Sequence, residues 1–166
     1  HGGMCGVIIF TYFYTKLYKI NFLAAIDIIG CCAPIGLFLG RIANFINSEL
    51  WGKPTELPWG VVFPNGGSIS RHPSQLYEAL LEGISLFIIL NILYFKYYKK
   101  KGFIGCSFLI IYGFFRFIVE FFREPDQQIG YIYGNIFTMG MLLSIPMILL
   151  GSILLVILDV KYRKYN

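Results

Sequence analysis

The chain has 166 residues, of which 57% are hydrophobic, 18% are aromatic and only 14% are charged. A soluble domain typically carries about 25% charged residues, so this composition excludes an ordinary soluble domain and indicates an integral membrane protein. The net charge of +5 does not by itself indicate nucleic-acid binding, because membrane topology can also account for basic residues.

Five apolar segments follow one another along the chain and predict an all-α, polytopic bundle of transmembrane helices. Their approximate bounds are Met4 to Tyr14, Asn21 to Leu39, Leu76 to Phe95, Phe103 to Phe122 and Ile132 to Leu158. A spanning helix needs about 20 residues, and the first segment is shorter than that. Because the chain also begins at His1 without an initiator methionine, we expect a truncated first span and a C-terminal fragment of a longer chain.

Basic residues predict the orientation of these helices. Nine of the fourteen lysines and arginines fall in three alternate connections, which the positive-inside rule assigns to the cytoplasmic side. These nine are Lys16, Lys19, Lys96, Lys99, Lys100, Lys101, Lys161, Arg163 and Lys164. The C-terminus is therefore expected on the cytoplasmic side, and the connections 41–74 and 123–131 on the outward side. Apart from Arg163, every arginine lies toward the outward side, where topology alone does not explain it.

The second apolar segment ends in a dense group of polar residues. Arg41, Asn44, Asn47 and Glu49 follow a run that contains a single charge, Asp27. Charged residues at such a depth in a membrane are costly and usually functional, so the pattern predicts that an anion binds near the end of this segment. Asp27 itself is expected either to pair with a cation on another helix or to face a water-filled cavity.

The outward connection that follows is rich in proline and glycine and predicts a small hairpin insertion. An Asn-Gly pair at 65–66 stands between two short runs, 61–63 and 68–70, which is typical of a hairpin. We expect an arm over about residues 48–73, after which the next span begins near Pro73. Helix initiation alone does not explain five polar residues near this point, although interfacial solvation explains some of them: Arg71, His72, Gln75, Tyr77 and Glu78.

A second polar group lies near the end of the fourth segment. Arg116, Glu120 and Arg123 stand at i, i+4 and i+7 and so share one helical face. Packing between helices would explain one arginine–glutamate pair, but two arginines around one glutamate leave a net positive charge. Glu120 is therefore expected to neutralise one guanidinium, while the other binds an anion. The planar fork of arginine suits bidentate binding of phosphate.

His1, Gly2 and Gly3 form a third and weaker feature. A terminal histidine before two glycines fits a tag remnant or a loop residue as well as a site residue. The predicted topology places it at the outward end of its helix, on the same side as Arg41 and Arg116.

Four blocks of this sequence closely resemble the signature of the bacterial prolipoprotein diacylglyceryl transferases. The blocks are residues 1–3, 40–52 (GRIANFINSELWG), 72–78 (HPSQLYE) and 116–126 (RFIVEFFREPD). They occur in the order expected for that family and extend over most of the chain. Two departures are visible: the family's N-terminal helices, which carry a functional tyrosine, are missing, and Ser48 stands where the family often has glycine.

This resemblance implies an enzyme of the bacterial inner membrane with about seven spans, about five of them present here, and an active site that faces the periplasm. It would transfer the diacylglyceryl group of phosphatidylglycerol to the lipobox cysteine of prolipoproteins, release glycerol-1-phosphate and act before signal peptidase II. The resemblance implies no metal ion, no soluble cofactor and no nucleic-acid partner. Residues 1–166 would then form one membrane-embedded catalytic domain, with a periplasmic arm over about 48–73.

The resemblance also suggests roles for individual residues. We expect His1 to act as a base or to activate the thiol, since histidine titrates near neutral pH. Arg41 would bind the phosphate of phosphatidylglycerol, and Arg116, oriented by Glu120, would stabilise the leaving phosphate. The complete set of expected substrate-binding residues is Arg41, Asn44, Asn47, Glu49, Gly52, Glu120 and Arg123.

Two other functions fit the outward arginines. In a lipid or anion transporter, the arginines would line a permeation path with access from both faces of the membrane. In a structural or assembly subunit, every outward arginine would have a carboxylate partner. The four sequence blocks favour the transferase over both alternatives.

Overall fold

The computed structural model describes residues 2–125, 130–133 and 137–165, and within these ranges the protein is a bundle of apolar helices. The helices are α1 (Gly2–Leu17), α2 (Phe22–Ile46), α3 (Ser74–Glu78), α4 (Leu86–Tyr97), α5 (Phe103–Val119) and α6 (Met139–Tyr165). A π-helical turn, Ala79–Ser85, joins α3 to α4 in one continuous span. The predicted all-helical bundle of five apolar segments is confirmed.

Three of these spans are long and apolar enough to cross a membrane, judged by length and composition: Phe22–Ile46, Ser74–Tyr97 and Met139–Arg163. Helices α1 and α5 are apolar but shorter. The surface of the bundle is also strongly apolar, and on α6, for example, Leu149 and Ile153 are exposed. Such a surface suits contact with lipid, so the protein is a multi-pass membrane protein.

Helix α2 continues past Leu39, the predicted end of its apolar run, to Ile46. Asn21 lies just before its first residue, and the side-chain oxygen of Asn21 accepts a hydrogen bond from the backbone N–H of Ala24 at 3.0 Å and so caps the helix. The helical conformation stops before Ser48, which adopts the left-handed region with a φ of 56°. The polar group that follows the apolar run therefore begins on the helix itself, not in a loop.

The arm over about residues 48–73 contains the predicted hairpin. Strand β1 (Val61–Val62) pairs in antiparallel fashion with β2 (Ser70–Arg71). The turn between them is longer than a two-residue Asn-Gly turn, because Pro64–Gly66 forms a 3₁₀ turn and Gly67 follows with a φ of 83°. Proline suits the first position of a helical turn, and glycine adopts a positive φ at no steric cost.

The prediction that the last span begins at Ile132 is wrong. Strand β3 (Tyr131–Tyr133) pairs with β4 (Phe137–Thr138) in a second hairpin, and α6 begins only at Met139. The hydroxyl of Thr138 accepts a hydrogen bond from the N–H of Met141 at 3.3 Å at the start of this helix. Apolar aromatic and β-branched residues favour strands, and an unbroken apolar run does not distinguish a strand from a helix.

The middle of the bundle is an apolar core. Cys31 of α2, Leu86 and Leu90 of α4 and Ile104 of α5 form one buried cluster. Helix α6 packs closely along α5, where a Cβ atom added to Gly113 would lie 2.9 Å from Cγ1 of Ile148. The core separates the end of the bundle that carries the arm from the end that carries the basic connections.

Asp27 of α2 holds the opposite end of the bundle together. Its carboxylate accepts hydrogen bonds from the N–H groups of Gly102 at 2.6 Å and Gly105 at 2.9 Å, at the start of α5. Asp27 therefore caps a neighbouring helix, a role that differs from both of those expected for it. Nearby, Lys100 pairs with Asp159 of α6 at 2.7 Å. The basic connection between α4 and α5 thus lies beside the end of α6, as the predicted topology requires.

Replacement of Asp27 by Ala is predicted to lower the stability of the full-length protein by about 1–3 kcal/mol, because two buried N–H groups lose their acceptor. Asp27→Asn should cost less, since the amide keeps one acceptor oxygen. Thermal unfolding of both variants in detergent measures the difference. Equal midpoints for Asp27→Ala and the unmodified protein would contradict this role of Asp27.

Candidate functional site

A cluster of arginines and glutamates lies at the end of the bundle that carries the arm. Helix α2 contributes Arg41, helix α3 contributes Glu78, the π-helical turn contributes Glu82, and α5 contributes Arg116. The side chains of both glutamates are fully buried, whereas the relative solvent exposure of the side chains is 17% for Arg41 and 13% for Arg116. Three separate segments of the chain therefore bring opposite charges together inside an apolar bundle.

Glu78 joins the two arginines. One of its carboxylate oxygens lies 2.7 Å from Nε of Arg41, and the other lies 2.7 Å from Nη1 of Arg116. Glu82 lies behind the same pair at longer range, 3.4 Å from Arg41 and 3.6 Å from Arg116. Because removing one partner leaves a buried charge uncompensated, the two carboxylates fix the separation and orientation of the two guanidinium groups.

The end of α5 adds the predicted arginine–glutamate group to this cluster. Glu120 pairs with Arg116 at 3.1 Å, and Arg123 lies 4.0 Å from both Glu78 and Glu120. Helix α5 ends at Val119, so Arg123 lies in the turn beyond it and not on the same helical face. The expected orientation of Arg116 by Glu120 agrees with this geometry, but Glu78 makes the shorter contact.

Two residues of the cluster had no role in the sequence-based prediction. Glu78 was among the polar residues that helix initiation could not explain, and Glu82 had not been singled out. Their spacing is a usable signal, because two carboxylates at i and i+4 repel each other on a helix unless cations lie nearby. Both also fall within an apolar span, where each needs a partner.

A cavity of about 180 Å³ opens beside the arginines. Arg41, Arg116 and Arg123 contribute to its wall together with Glu120, and α6 forms the opposite side. The lining residues from Thr138 and α6 are Thr138, Met139, Gly140, Leu143, Ser144 and Met147. A Cβ atom added to Gly140 would lie within 2.7 Å of all three carboxyl-group atoms of Glu120, so glycine here lets the two helices approach. The cavity thus combines guanidinium groups with an apolar wall, which suits an anionic headgroup with attached acyl chains.

Four other predicted site residues that the structure describes do not line this cavity: Asn44, Asn47, Glu49 and Gly52. Asn47 caps the end of α2, and the backbone carbonyl of Asn44 accepts a hydrogen bond from the N–H of Glu49 at 2.9 Å. Glu49 instead lines a separate cavity of about 350 Å³, together with Trp51 and Glu124. The structure therefore divides the predicted headgroup pocket, with the arginines and Glu120 in one cavity and Glu49 in another.

Gly52 lies where the arm crosses the end of α5. Its N–H donates to the carbonyl of His72 at 2.9 Å, and its carbonyl accepts from Nη1 of Arg71 at 3.3 Å. A Cβ atom at this position would lie 2.5 Å from the carbonyl oxygen of Phe122 and 2.6 Å from that of His72. Only glycine fits this crossing, so the structure gives Gly52 a packing role that positions the arm over the cluster.

The arm is further joined to α3 by aromatic and polar contacts. The indole N–H of Trp59 donates to the hydroxyl of Tyr77 at 2.8 Å, and Nδ1 of His72 lies 3.1 Å from the same hydroxyl. Burial lowers the pKa of His72 and so favours the neutral ring, whose unprotonated nitrogen can accept a hydrogen bond from the hydroxyl of Tyr77. The arm also contacts the segment that follows α5, because Arg71 pairs with Glu124 at 3.2 Å.

Each of the four arginines described at this end of the bundle has a carboxylate within 4.0 Å: Arg41, Arg71, Arg116 and Arg123. This is the pairing that a purely structural subunit would require, so pairing alone does not separate that alternative from a site. His1, the expected base, lies outside the described residues. In the parts of the chain that the structure describes, no three His, Cys, Asp or Glu side chains are arranged to hold a metal ion.

Fold and cluster together define a class: multi-pass helical membrane proteins with a buried arginine–carboxylate cluster beside a cavity at one end of the bundle. Comparison with known proteins makes the assignment specific. A family model described as prolipoprotein diacylglyceryl transferase matches residues 1–157. The chain belongs to this family.

Individual relatives agree with this assignment. The chain is 52% identical to a phosphatidylglycerol–prolipoprotein diacylglyceryl transferase of Mannheimia succiniciproducens, over 99% of the chain and 60% of that protein. It is 55% identical to the protein of the same name from Rickettsia felis, over 93% of the chain and 60% of the relative. It is 53% identical to the protein of the same name from Mesorhizobium japonicum, over 91% of the chain and 54% of that protein. The chain thus spans about three fifths of the length of the curated relatives it matches.

Two glycines of the same sequence block provide a matched test of the arm geometry. Gly52→Ala is predicted to destabilise the protein by about 1–3 kcal/mol, because the new methyl group meets backbone atoms of two segments. Gly40→Ala should have no such cost, since an added Cβ atom meets nothing within 4 Å there. Thermal unfolding and limited proteolysis of the arm compare the two variants. Equal protease resistance would contradict the proposed crossing.

Proposed function

We propose that the full-length protein transfers the diacylglyceryl group of phosphatidylglycerol to the lipobox cysteine of prolipoproteins. Family membership supports this activity, since the relatives carry it in their names. The observation that carries the proposal for this chain is the juxtaposition of Arg41 and Arg116 at one cavity with an apolar wall. A phospholipid has the matching chemistry, with an anionic phosphate next to acyl chains.

The proposed reaction forms a bond between the cysteine sulfur and the glycerol carbon while the bond from that carbon to the phosphate oxygen breaks. Glycerol-1-phosphate leaves with the electron pair of the broken bond, and the thiol proton passes to a base or leaves on the phosphate. Two barriers follow from this chemistry. A free thiol has a pKa of about 8.5, so its thiolate must be stabilised, and the leaving phosphate requires fixed donors in a water-poor site.

The arginines meet the second requirement. Arg41 and Arg116 present guanidinium donors at the cavity, and Glu78 holds both groups in place with contacts of 2.7 Å. Donors that are already oriented do not need to reorganise as the negative charge develops. Arg41 would bind the phosphate of the lipid, and Arg116 would stabilise it as it leaves.

The first requirement falls to His1 in this proposal. A histidine at the outward end of α1 would accept the thiol proton, or would stabilise the thiolate as an imidazolium. Asn44, Asn47, Glu49 and Gly52 would then support the site from the arm side and not from within the arginine cavity.

Membrane placement completes the proposal. The basic connections would face the cytoplasm, as the positive-inside rule requires, so the arm and the cluster would face the periplasmic side of the inner membrane. From there the cavity would receive phosphatidylglycerol from the outer leaflet and the lipobox of a translocated prolipoprotein. Signal peptidase II would act on the product.

Arg41→Lys in the full-length protein tests this assignment. Lysine keeps the charge but lacks the fork that contacts both carboxylates and a phosphate, so transfer should fall by about 100-fold, as expected when a charge-assisted hydrogen bond worth about 1.5–3 kcal/mol is lost. The measurement is the transfer of radiolabelled diacylglycerol to a lipobox peptide. Near-normal transfer by a folded Arg41→Lys protein would contradict the role of Arg41.

A further inference from the structure

Glu82 is an unusual member of the cluster. It lies in the π-helical turn Ala79–Ser85, and single π-helical turns occur frequently at functional sites. Its side chain is fully buried, yet its contacts with Arg41 and Arg116 are 3.4 Å and 3.6 Å, well beyond the 2.7 Å contacts of Glu78. A buried carboxylate with long contacts is poorly compensated for its lost hydration, so structural stability alone does not account for it.

Within the described residues, three arginines and three glutamates, Glu82 among them, balance one another's charges in this cluster. The charged or titratable side chains around Glu82 are Arg41, Glu78, Tyr112 and Arg116, and beyond them Glu120 adjoins Arg116 and Arg123 adjoins Glu78. The two arginines that contact Glu82 carry two positive charges, and Glu78 and Glu82 together match them. Glu120 adds a further carboxylate at Arg116. Within the described residues, α6 brings no charged side chain to the cavity.

The two arginines and their carboxylate partners together carry no net positive charge. A phosphate group that enters this cavity therefore adds negative charge that nothing there offsets. In a setting of low dielectric constant, this excess is strongly unfavourable. Either an arginine must leave its carboxylate, or one carboxylate must become neutral. Arg41 and Arg116 are both held by Glu78 at 2.7 Å, so neutralisation of the carboxylate with the longest contacts perturbs the cluster least.

We propose that Glu82 takes up one proton when the phosphate of the lipid binds beside Arg41 and Arg116. The proton cancels the charge of the arriving phosphate and removes one carboxylate partner from each of the two guanidinium groups. Glu78 keeps them in position, so the site changes its charge without changing its shape. Glu82 is then a positioning residue whose ionised form keeps the empty site neutral. This inference rests on the proposed function, since it names phosphatidylglycerol as the source of the phosphate.

Proton uptake can be counted directly on the unmodified full-length protein. Short-chain phosphatidylglycerol is titrated into the detergent-solubilised protein by calorimetry, in buffers of different ionisation enthalpy. The expected result is uptake of about one proton for each lipid bound, and an affinity that falls about tenfold for each unit rise in pH. Binding without proton uptake would overturn the inference, and this measurement requires no variant.

The variant Glu82→Gln assigns the proton to its site. Glutamine has nearly the same shape but is always neutral, so the variant should bind phosphatidylglycerol with an affinity independent of pH and at least equal to that of the unmodified protein at pH 8. Asp159→Asn is the matched control, because it neutralises a carboxylate at the opposite end of the bundle, and it should keep the pH dependence of the unmodified protein. An unchanged pH dependence in Glu82→Gln would overturn the inference.

The transfer assay distinguishes this inference from the function on which it rests. If the unmodified protein binds and transfers the lipid without proton uptake, the inference is wrong and the proposed function stands. If it takes up a proton on binding, Glu82→Gln removes this uptake, and the unmodified protein transfers nothing to a lipobox peptide, the role of Glu82 stands and the proposed function is wrong. If phosphatidylglycerol does not bind, both are overturned.

Discussion

Glu78 bridges Arg41 and Arg116 at 2.7 Å to each side chain, and this bridge constrains most of what surrounds it. Its charges belong to three helices, so none of the helices can move away alone without leaving a buried charge uncompensated. The π-helical turn brings a second carboxylate to the same pair, and α5 must end close by to supply Glu120. Two cations beside a cavity with an apolar wall remain at a fixed separation as a result.

The elements farther from the bridge maintain this arrangement. Asp27 secures the start of α5 at the opposite end of the bundle, which fixes the direction in which Arg116 approaches the cluster. Gly140 lets α6 close over Glu120, and Gly52 lets the arm cross the end of α5. The positions of these two glycines are thus a consequence of the charge cluster, because any side chain there would displace either a carboxylate or the backbone that supports it.

The sequence predicts the helices and the charged residues well, because apolar length and misplaced arginines are local features of the chain. It does not predict which carboxylate pairs with which arginine. Glu120 lies between Arg116 and Arg123 along the chain, but the shortest contacts to Arg116 and Arg41 come from Glu78 on another helix. The error at Ile132 has a similar origin, since only contact with Phe137 and Thr138 distinguishes that strand from a helix. Ser48 has a φ of 56°, and a position of this kind favours glycine, as the resemblance also led us to expect.

Photoaffinity labelling of the full-length protein tests the central claim most directly, that the arginine cavity binds an anionic headgroup. The probe is phosphatidylglycerol with a photoreactive group on its headgroup, incorporated in a nanodisc of zwitterionic lipid. The account predicts adducts on residues that line the cavity, above all Tyr112, Leu143 and Met147, and competition by unlabelled phosphatidylglycerol. Adducts spread along the lipid-exposed surface of α6, with the same pattern from a phosphatidylethanolamine probe, would contradict it.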